Sequence, residues 1–211
     1  MLKPKKMQYD KSGPRVAEAL RRRRFEAYYC STAEEALAKA LELIPNDAEV
    51  SWGGSVTVDE VGLRDALRRR GQPLLDRDAV PAEQRGEVMR RSQSCDVFLM
   101  GSNAVTEDGQ LFNIDGTGNR VAALCFGPKS VIVVAGMNKV VPDLAAAYSR
   151  VRHVAAPMNA QRFGIKTPCS VTGQCGDCVS PDCICNAMVA TRGCRPAGRV
   201  KVILVGEDLG M

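Results

Sequence analysis

Six of the chain's nine cysteines fall between positions 169 and 194: Cys169, Cys175, Cys178, Cys183, Cys185 and Cys194. Thiolates gathered at such short spacing suit a soft metal ion or an iron–sulfur cluster better than they suit a hydrophobic core. Two other uses compete. An isolated cysteine is most often a small buried apolar residue. A set of them can be a disulfide framework, which needs an oxidising compartment and usually a small secreted chain. The opening stretch, residues 1–10, is charged with no apolar run behind it, so no secretory signal is expected. Nine is an odd number, and 211 residues can bury a core without covalent staples. Metal or cluster binding is therefore favoured over free redox-active thiols and over structural disulfides.

Three glycine-containing loops carry the other candidate chemistry. In the first, residues 51–57, Gly53 and Gly54 let the backbone approach a ligand. Ser55 and Thr57 can bond an anion or cap a helix whose N-terminus favours negative charge. A plain helix cap explains the same residues equally well. Glu60, one turn on, is the nearest candidate acid or base. In the second, residues 113–120, Asp115 is a candidate base, and Thr117, Gly118 and Asn119 supply short or flexible positions. Arg120 there can fork onto a carboxylate or phosphate, although Asp-Gly turns are also ordinary connectors. In the third, residues 135–139, Asn138 and Lys139 are candidate ligand contacts, against the bland reading of a solvated lysine after a strand. The only histidine, His153, sits beside Arg152 with no triad partner, which argues against a Ser-His-Asp mechanism.

Strands alternating with helices must position these loops. Strands are expected at 25–30, 49–52, 74–75, 96–100, 130–135 and 200–205. Helices are expected at 14–24, from a Ser31–Glu34 capping box through Leu43, at 57–70, 81–91, 119–125 and 142–150. One exception interrupts the alternation: Ala104–Thr106 and Gln110–Asn113 flank Asp108-Gly109, a β-hairpin signal. The expected fold is α/β, a mostly parallel sheet with helices on both faces and an inserted hairpin. No linker divides residues 1–211, so a single domain is expected, with 166–197 a cysteine-rich excursion ahead of the last strand. That excursion has too few apolar residues to order itself, and a bound metal could supply the free energy.

Hydrophobic residues make up 45% and charged residues 25% of the chain, the balance of a soluble globular protein. The longest apolar stretch, residues 131–135, cannot span a bilayer, so no membrane partner and a cytoplasmic location are expected. The net charge of +5 owes much to Arg21–Arg24 and Arg68–Arg70. Both runs close expected helices, where the dipole favours cations, and no aromatic interleaving accompanies them. Nucleic acid is therefore not an expected partner.

Several segments together, residues 52–57, 113–123, 136–139 and 156–160, resemble the lactate-utilisation (LUD) domain family, from about Ser51 to Leu209-Gly210. The resemblance implies a fold similar to the ribose-5-phosphate isomerase and CoA-transferase group. It further implies a place beside cytoplasmic iron–sulfur complexes that oxidise lactate to pyruvate. The chain is also similar to a branch of that family with a C-terminal cysteine segment. That similarity implies Cys169, Cys175, Cys178 and Cys185 as four metal ligands, spaced C-x5-C-x2-C-x6-C, with Cys183 able to substitute for Cys185. This spacing matches neither the common ferredoxin patterns nor paired structural zinc knuckles, so a 4Fe-4S cluster and zinc both stay open. Implied partners are an anionic small molecule and an iron–sulfur or flavin oxidoreductase, with a homo-oligomer also open. The alternative is a stand-alone transferase or isomerase acting on a phosphorylated sugar or CoA ester, the metal structural and Glu60 or Asp115 catalytic. A regulatory thiol switch using Cys183 and Cys194 is a third option.

Overall fold

Apolar β-branched runs make the strands of a parallel sheet, and amphipathic helices cover both of its faces. The computed structural model describes residues Met1–Met211. In chain order the first half runs α1 (Lys3–Arg22), β1 (Glu26–Cys30), α2 (Ala33–Glu42), β2 (Val50–Trp52), α3 (Val56–Glu60), α4 (Leu63–Arg69) and β3 (Leu74–Leu75). Then come α5 (Arg85–Arg91), β4 (Val97–Gly101), β5 (Ala104–Thr106), β6 (Leu111–Asp115), α6 (Asn119–Cys125) and β7 (Ser130–Gly136). The chain closes with β8 (Val140–Val141), α7 (Leu144–Arg150), α8 (Ala156–Phe163), α9 (Pro168–Thr172), β9 (Ala187–Thr191) and β10 (Val200–Val205).

Six strands form one sheet in the order β1-β10-β7-β4-β2-β3, every pair parallel. Period-two alternation divides its side chains between two cores. Val131 and Val133 of β7 face the layer that includes Leu20 of α1 and Leu124 of α6. Ile132 and Val134 face Ala36 and Ala40 of α2 and Leu63 and Leu67 of α4. The expected hairpin is present, with Ala104 opposite Phe112 in antiparallel register. It is the centre of a second sheet, β8-β5-β6-β9, packed against Ala147 and Val151.

Several expected boundaries move, each for a physical reason. Helix α1 begins at Lys3 and runs through Pro14, not from it. Its polar first half is held by tertiary contacts, Lys6 Nζ to Ser31 O at 2.7 Å and Tyr9 OH to Asp208 at 2.8 Å, rather than by an apolar stripe. Helix α2 is capped one residue later than the capping-box reading, by Thr32, whose Oγ1 accepts from Glu35 N. The expected helix 57–70 splits because Gly62 adopts φ +76°, a left-handed conformation that ends α3 and starts α4. Residues 82–84 form a 3-10 turn, so the helix expected from Pro81 starts only at Arg85. Helix α7 continues through a π-helical segment, Val151–Ala155, directly into α8. Within the excursion, β9 pairs antiparallel with β6, so part of that segment is ordered by sheet pairing.

The arginine runs are largely engaged within the fold. Arg23 bonds Asp108 in the hairpin turn, and Arg68 bonds Asp76. Arg70 donates to the carbonyls of Leu41 and Ile44 at the end of α2. No helix is long and apolar enough to cross a membrane.

Candidate functional site

Beyond the carboxyl ends of β2, β4 and β6, where such sheets hold their ligands, lies a cavity of about 580 Å³. Gly53, Gly54, Ser55 and Thr57 line it from the first loop, Asp115, Thr117, Asn119 and Arg120 from the second, and Lys139 from the third. Three loops distant in sequence thus meet at one space. Two candidates from those loops, Gly118 and Asn138, lie outside the lining. Gly118 caps α6 at φ +83°, and Asn138 Oδ1 accepts from Leu209 N at 3.1 Å. Glu60 is also outside, exposed, accepting from Gly210 N at 2.5 Å.

The charged groups divide into those fully used by the fold and those less fully engaged. Arg120 belongs to the first kind. Its Nη1 donates to Gly101 O (3.2 Å) and Asn113 Oδ1 (2.7 Å), and its Nη2 to Asn103 Oδ1 (3.0 Å) and Ile114 O (2.6 Å). Burial pushes its basicity down while Asp115 supports it. Four protein acceptors leave the guanidinium little to offer a ligand, so its expected fork onto an anion gives way to a positioning role. Asp115 is similarly engaged: Oδ2 accepts from the backbone N–H of Arg120 and Val121, both at 3.1 Å, at the start of α6.

Less fully engaged are Arg162, Lys139 and Arg77, the last with Nη1 donating to Met89 Sδ at 3.5 Å and Nε lying 3.9 Å from Asp78. Arg77 and Arg162, from the connector after β3 and from α8, converge on Gly54. A methyl group built there would lie 3.1 Å from Arg77 Nη2 and 3.6 Å from Arg162 Nη2. Arg162 stands on the exposed rim. Its guanidinium is nonetheless partly desolvated, and that desolvation, with Arg77 and Arg64 nearby and Asp59 opposing them, lowers its basicity. Such mutually repelling cations are what a carboxylate or phosphate would relieve. Lys139 is 5% exposed, not solvated, and donates to Thr57 Oγ1 at 2.7 Å. Desolvation above all, then Arg150 and Arg120, bring its ammonium down to about 7 against the pull of Glu60. Neither arginine had a marker in the sequence. Arg162 follows the 156–160 motif closely, whereas Arg77 is brought in only by the fold.

The cysteine excursion forms one wall of this cavity. Ile184, between Cys183 and Cys185, lines it and lies against Gly116 of the second loop. Asn186 Nδ2 donates to Gly116 O at 3.1 Å. Cys185 packs beside the hairpin core, and its thiol is pushed up to about 12, first by burial and then by Cys183, Cys175 and Cys169. Arg152 lays its guanidinium on Cys175 Sγ, with Nη2 at 3.2 Å and Nε at 3.4 Å. All nine cysteines are free, and Cys194 is buried in the main core with Cys95, not with the other five cysteines of the excursion. No three His, Cys, Asp or Glu side chains are set to hold a metal ion. In chemistry the thiols fit a soft ion: Cys169, Cys175 and Cys183 lie close enough to influence the titration of Cys185, whereas the expected ligand Cys178 is not among them. In placement they do not form a closed coordination shell.

The LUD domain family matches residues 14–205. Among solved structures, a DUF162 family protein from Deinococcus radiodurans is similar at TM-score 0.55 and 14% identity, covering 93% of this chain and 98% of that one. At that identity the likeness concerns the fold. The eIF2B delta protein of Chaetomium thermophilum gives TM-score 0.33 and 19% identity over 53% of this chain and 49% of that one. No curated protein matches the chain.

Proposed function

Because the chain belongs to the LUD domain family, we propose that it is an accessory, electron-relaying component of a cytoplasmic iron–sulfur oxidoreductase system. That system oxidises lactate or a similar hydroxy acid, and the cavity binds the small carboxylate. One observation carries this reading: Ile184, flanked by Cys183 and Cys185, is a wall of the same cavity that holds Lys139, Arg77 and Arg162. A sulfur-ligated centre held by Cys169, Cys175, Cys178 and Cys185, with Cys183 beside them, would supply one-electron transfer. Arg77 and Arg162 would hold the carboxylate, and Arg120 would keep the second and hairpin loops in register around it. The partner would be an iron–sulfur or flavin oxidoreductase.

The test is anaerobic purification followed by metal analysis and by visible and paramagnetic spectra, with and without lactate. A brown protein whose spectrum shifts with lactate supports the reading. A colourless zinc protein ends the electron-relay role.

A second reading, a stand-alone transferase or isomerase on a sugar phosphate or CoA ester, is favoured by the convergence of Arg77 and Arg162 at Gly54. That geometry suits a phosphate as well as a carboxylate. Thermal stabilisation by sugar phosphates or CoA esters, but not by lactate, and abolished by Arg162→Ala, would select this reading.

A further inference from the structure

We propose that Lys139 is a catalytic nucleophile whose ε-amine condenses with the carbonyl carbon of a small 2-oxo acid in the cavity, giving a covalent imine. This rests on the cavity being the carboxylate site described above, and it adds a covalent step to binding.

The geometry is that of a reactive amine rather than of a structural cation. Lys139 is buried yet opens onto the cavity. A lysine ammonium has three hydrogens to place, and this one makes a single hydrogen bond, to Thr57 Oγ1. Buried lysines that serve structure are ordinarily paired with a carboxylate. Here the carboxylate with an influence on the amine is Glu60, which is exposed and bonded to Gly210 N. Desolvation and the positive charges of Arg150 and Arg120 leave a large neutral fraction at physiological pH, the activation that lysine nucleophiles require. Those same charges, together with Arg77 and Arg162, favour a carbonyl substrate that carries its own negative charge.

The step balances without an added redox partner. The Nζ lone pair forms a bond to C2, and the carbonyl π pair moves onto oxygen, which takes a proton. Loss of that oxygen as water leaves a protonated C=N bond. Thr57 Oγ1, already bonded to Nζ, holds the amine in one orientation and can pass a proton between nitrogen and oxygen. The iminium withdraws electrons from C2 and so acidifies the hydrogens on C3.

The experiment uses pyruvate as the probe on the full chain. Pyruvate binding is measured by calorimetry. Parallel samples are reduced with borohydride, digested and mapped by mass spectrometry, and exchange of the pyruvate methyl hydrogens in heavy water is followed by NMR. The expected result is a carboxyethyl adduct on Lys139 alone, increasing from about pH 6 to about pH 8 as the amine loses its proton. Methyl exchange should be accelerated at least tenfold over solution, and both signals should be absent in Lys139→Arg while binding survives. Binding without an adduct at Lys139, or adducts spread over exposed lysines, overturns the covalent role and leaves the carboxylate site standing. No binding at all overturns the site reading and the imine with it.

Discussion

Lys139 Nζ donates to Thr57 Oγ1 across 2.7 Å, tying the loop after β7 to the first turn of α3. Thr57 is 1% exposed and Lys139 5%, so this contact is shielded from water and places one amine where two strand-end loops meet. What that amine does with its proton decides several measurable properties.

Stability should rise with pH in a way that a neutral side chain at 139 removes. In the unfolded chain the lysine keeps its proton up to its ordinary 10.5, whereas in the folded chain it gives it up near 7. Between those values unfolding takes up a proton, so the folded state gains about 1.4 kcal/mol per pH unit from this group. Relative to Lys139→Met, the wild type should therefore gain about 2 kcal/mol between pH 7 and pH 9. Urea denaturation of both proteins at the two pH values reads the difference, and parallel curves would refute the buried-amine assignment.

Arg120 and Arg162 both border the cavity but should fail differently. Arg120→Ala removes the guanidinium donor from the carbonyls of Gly101 and Ile114 and from the side chains of Asn103 and Asn113, which keep only the backbone N–H of Ile114 and of Asn103. That should cost about 3 kcal/mol or more. Arg162→Ala, on the exposed rim, should change stability by less than about 0.5 kcal/mol. It should nonetheless weaken lactate or phosphate binding about tenfold. Thermal melts with and without ligand separate the two.

Metal loading should follow the excursion and ignore the surface thiol. After anaerobic reconstitution with iron and sulfide, or with zinc, Cys185→Ser should lose most of its bound metal. Cys125→Ser should keep it, since Cys125 is exposed at the end of α6. In metal-free protein near neutral pH, Cys185 should alkylate far more slowly than Cys125, because its thiol is held up to about 12. Equal metal content in the two variants would separate the cysteines from any metal role.

The hairpin turn should tolerate no side chain at its tip. Gly109 has φ +87°, and a methyl group there would lie 2.5 Å from Ala19 C and 2.6 Å from Ala19 O, backbone atoms of α1. Gly109→Ala should therefore destabilise the fold by about 2 kcal/mol or more, combining strain at positive φ with a clash that cannot relax by rotation. Chemical denaturation measures the loss.

The parts of the fold that could be read from the residues are those whose burial is written into consecutive positions. Strands β4, β7 and β10 are apolar on both faces, and Asp108-Gly109 marks its own turn. The first half of α1 escaped because tertiary polar contacts, not an apolar stripe, hold it in a helix. Strand β9 escaped because its residues, Ala187–Thr191, show no polar–apolar alternation in type, and their alternating exposure arises only when β6 offers an edge. The candidate site divides in the same way. Strand-end loops announce themselves through glycines and small polar residues, so nine of those loop positions, from Gly53 to Lys139, meet at the cavity. Arg77 and Arg162 meet only in three dimensions, and no local pattern distinguishes them from other surface arginines. Lys139 was visible, but its burial is set by how α3 and the chain's last residues pack around it.

Gly116 is bordered on two sides: its carbonyl holds Asn186, and Ile184 lies 3.3 Å from where its Cβ would be, while the adjacent Asp115 and Thr117 line the cavity. One short piece of backbone is thus shared by the compartment for the anion and the sulfur-rich strap. Any occupant that stiffens this backbone lowers the entropic cost for the other, and thermodynamic reciprocity then requires both affinities to change by the same factor.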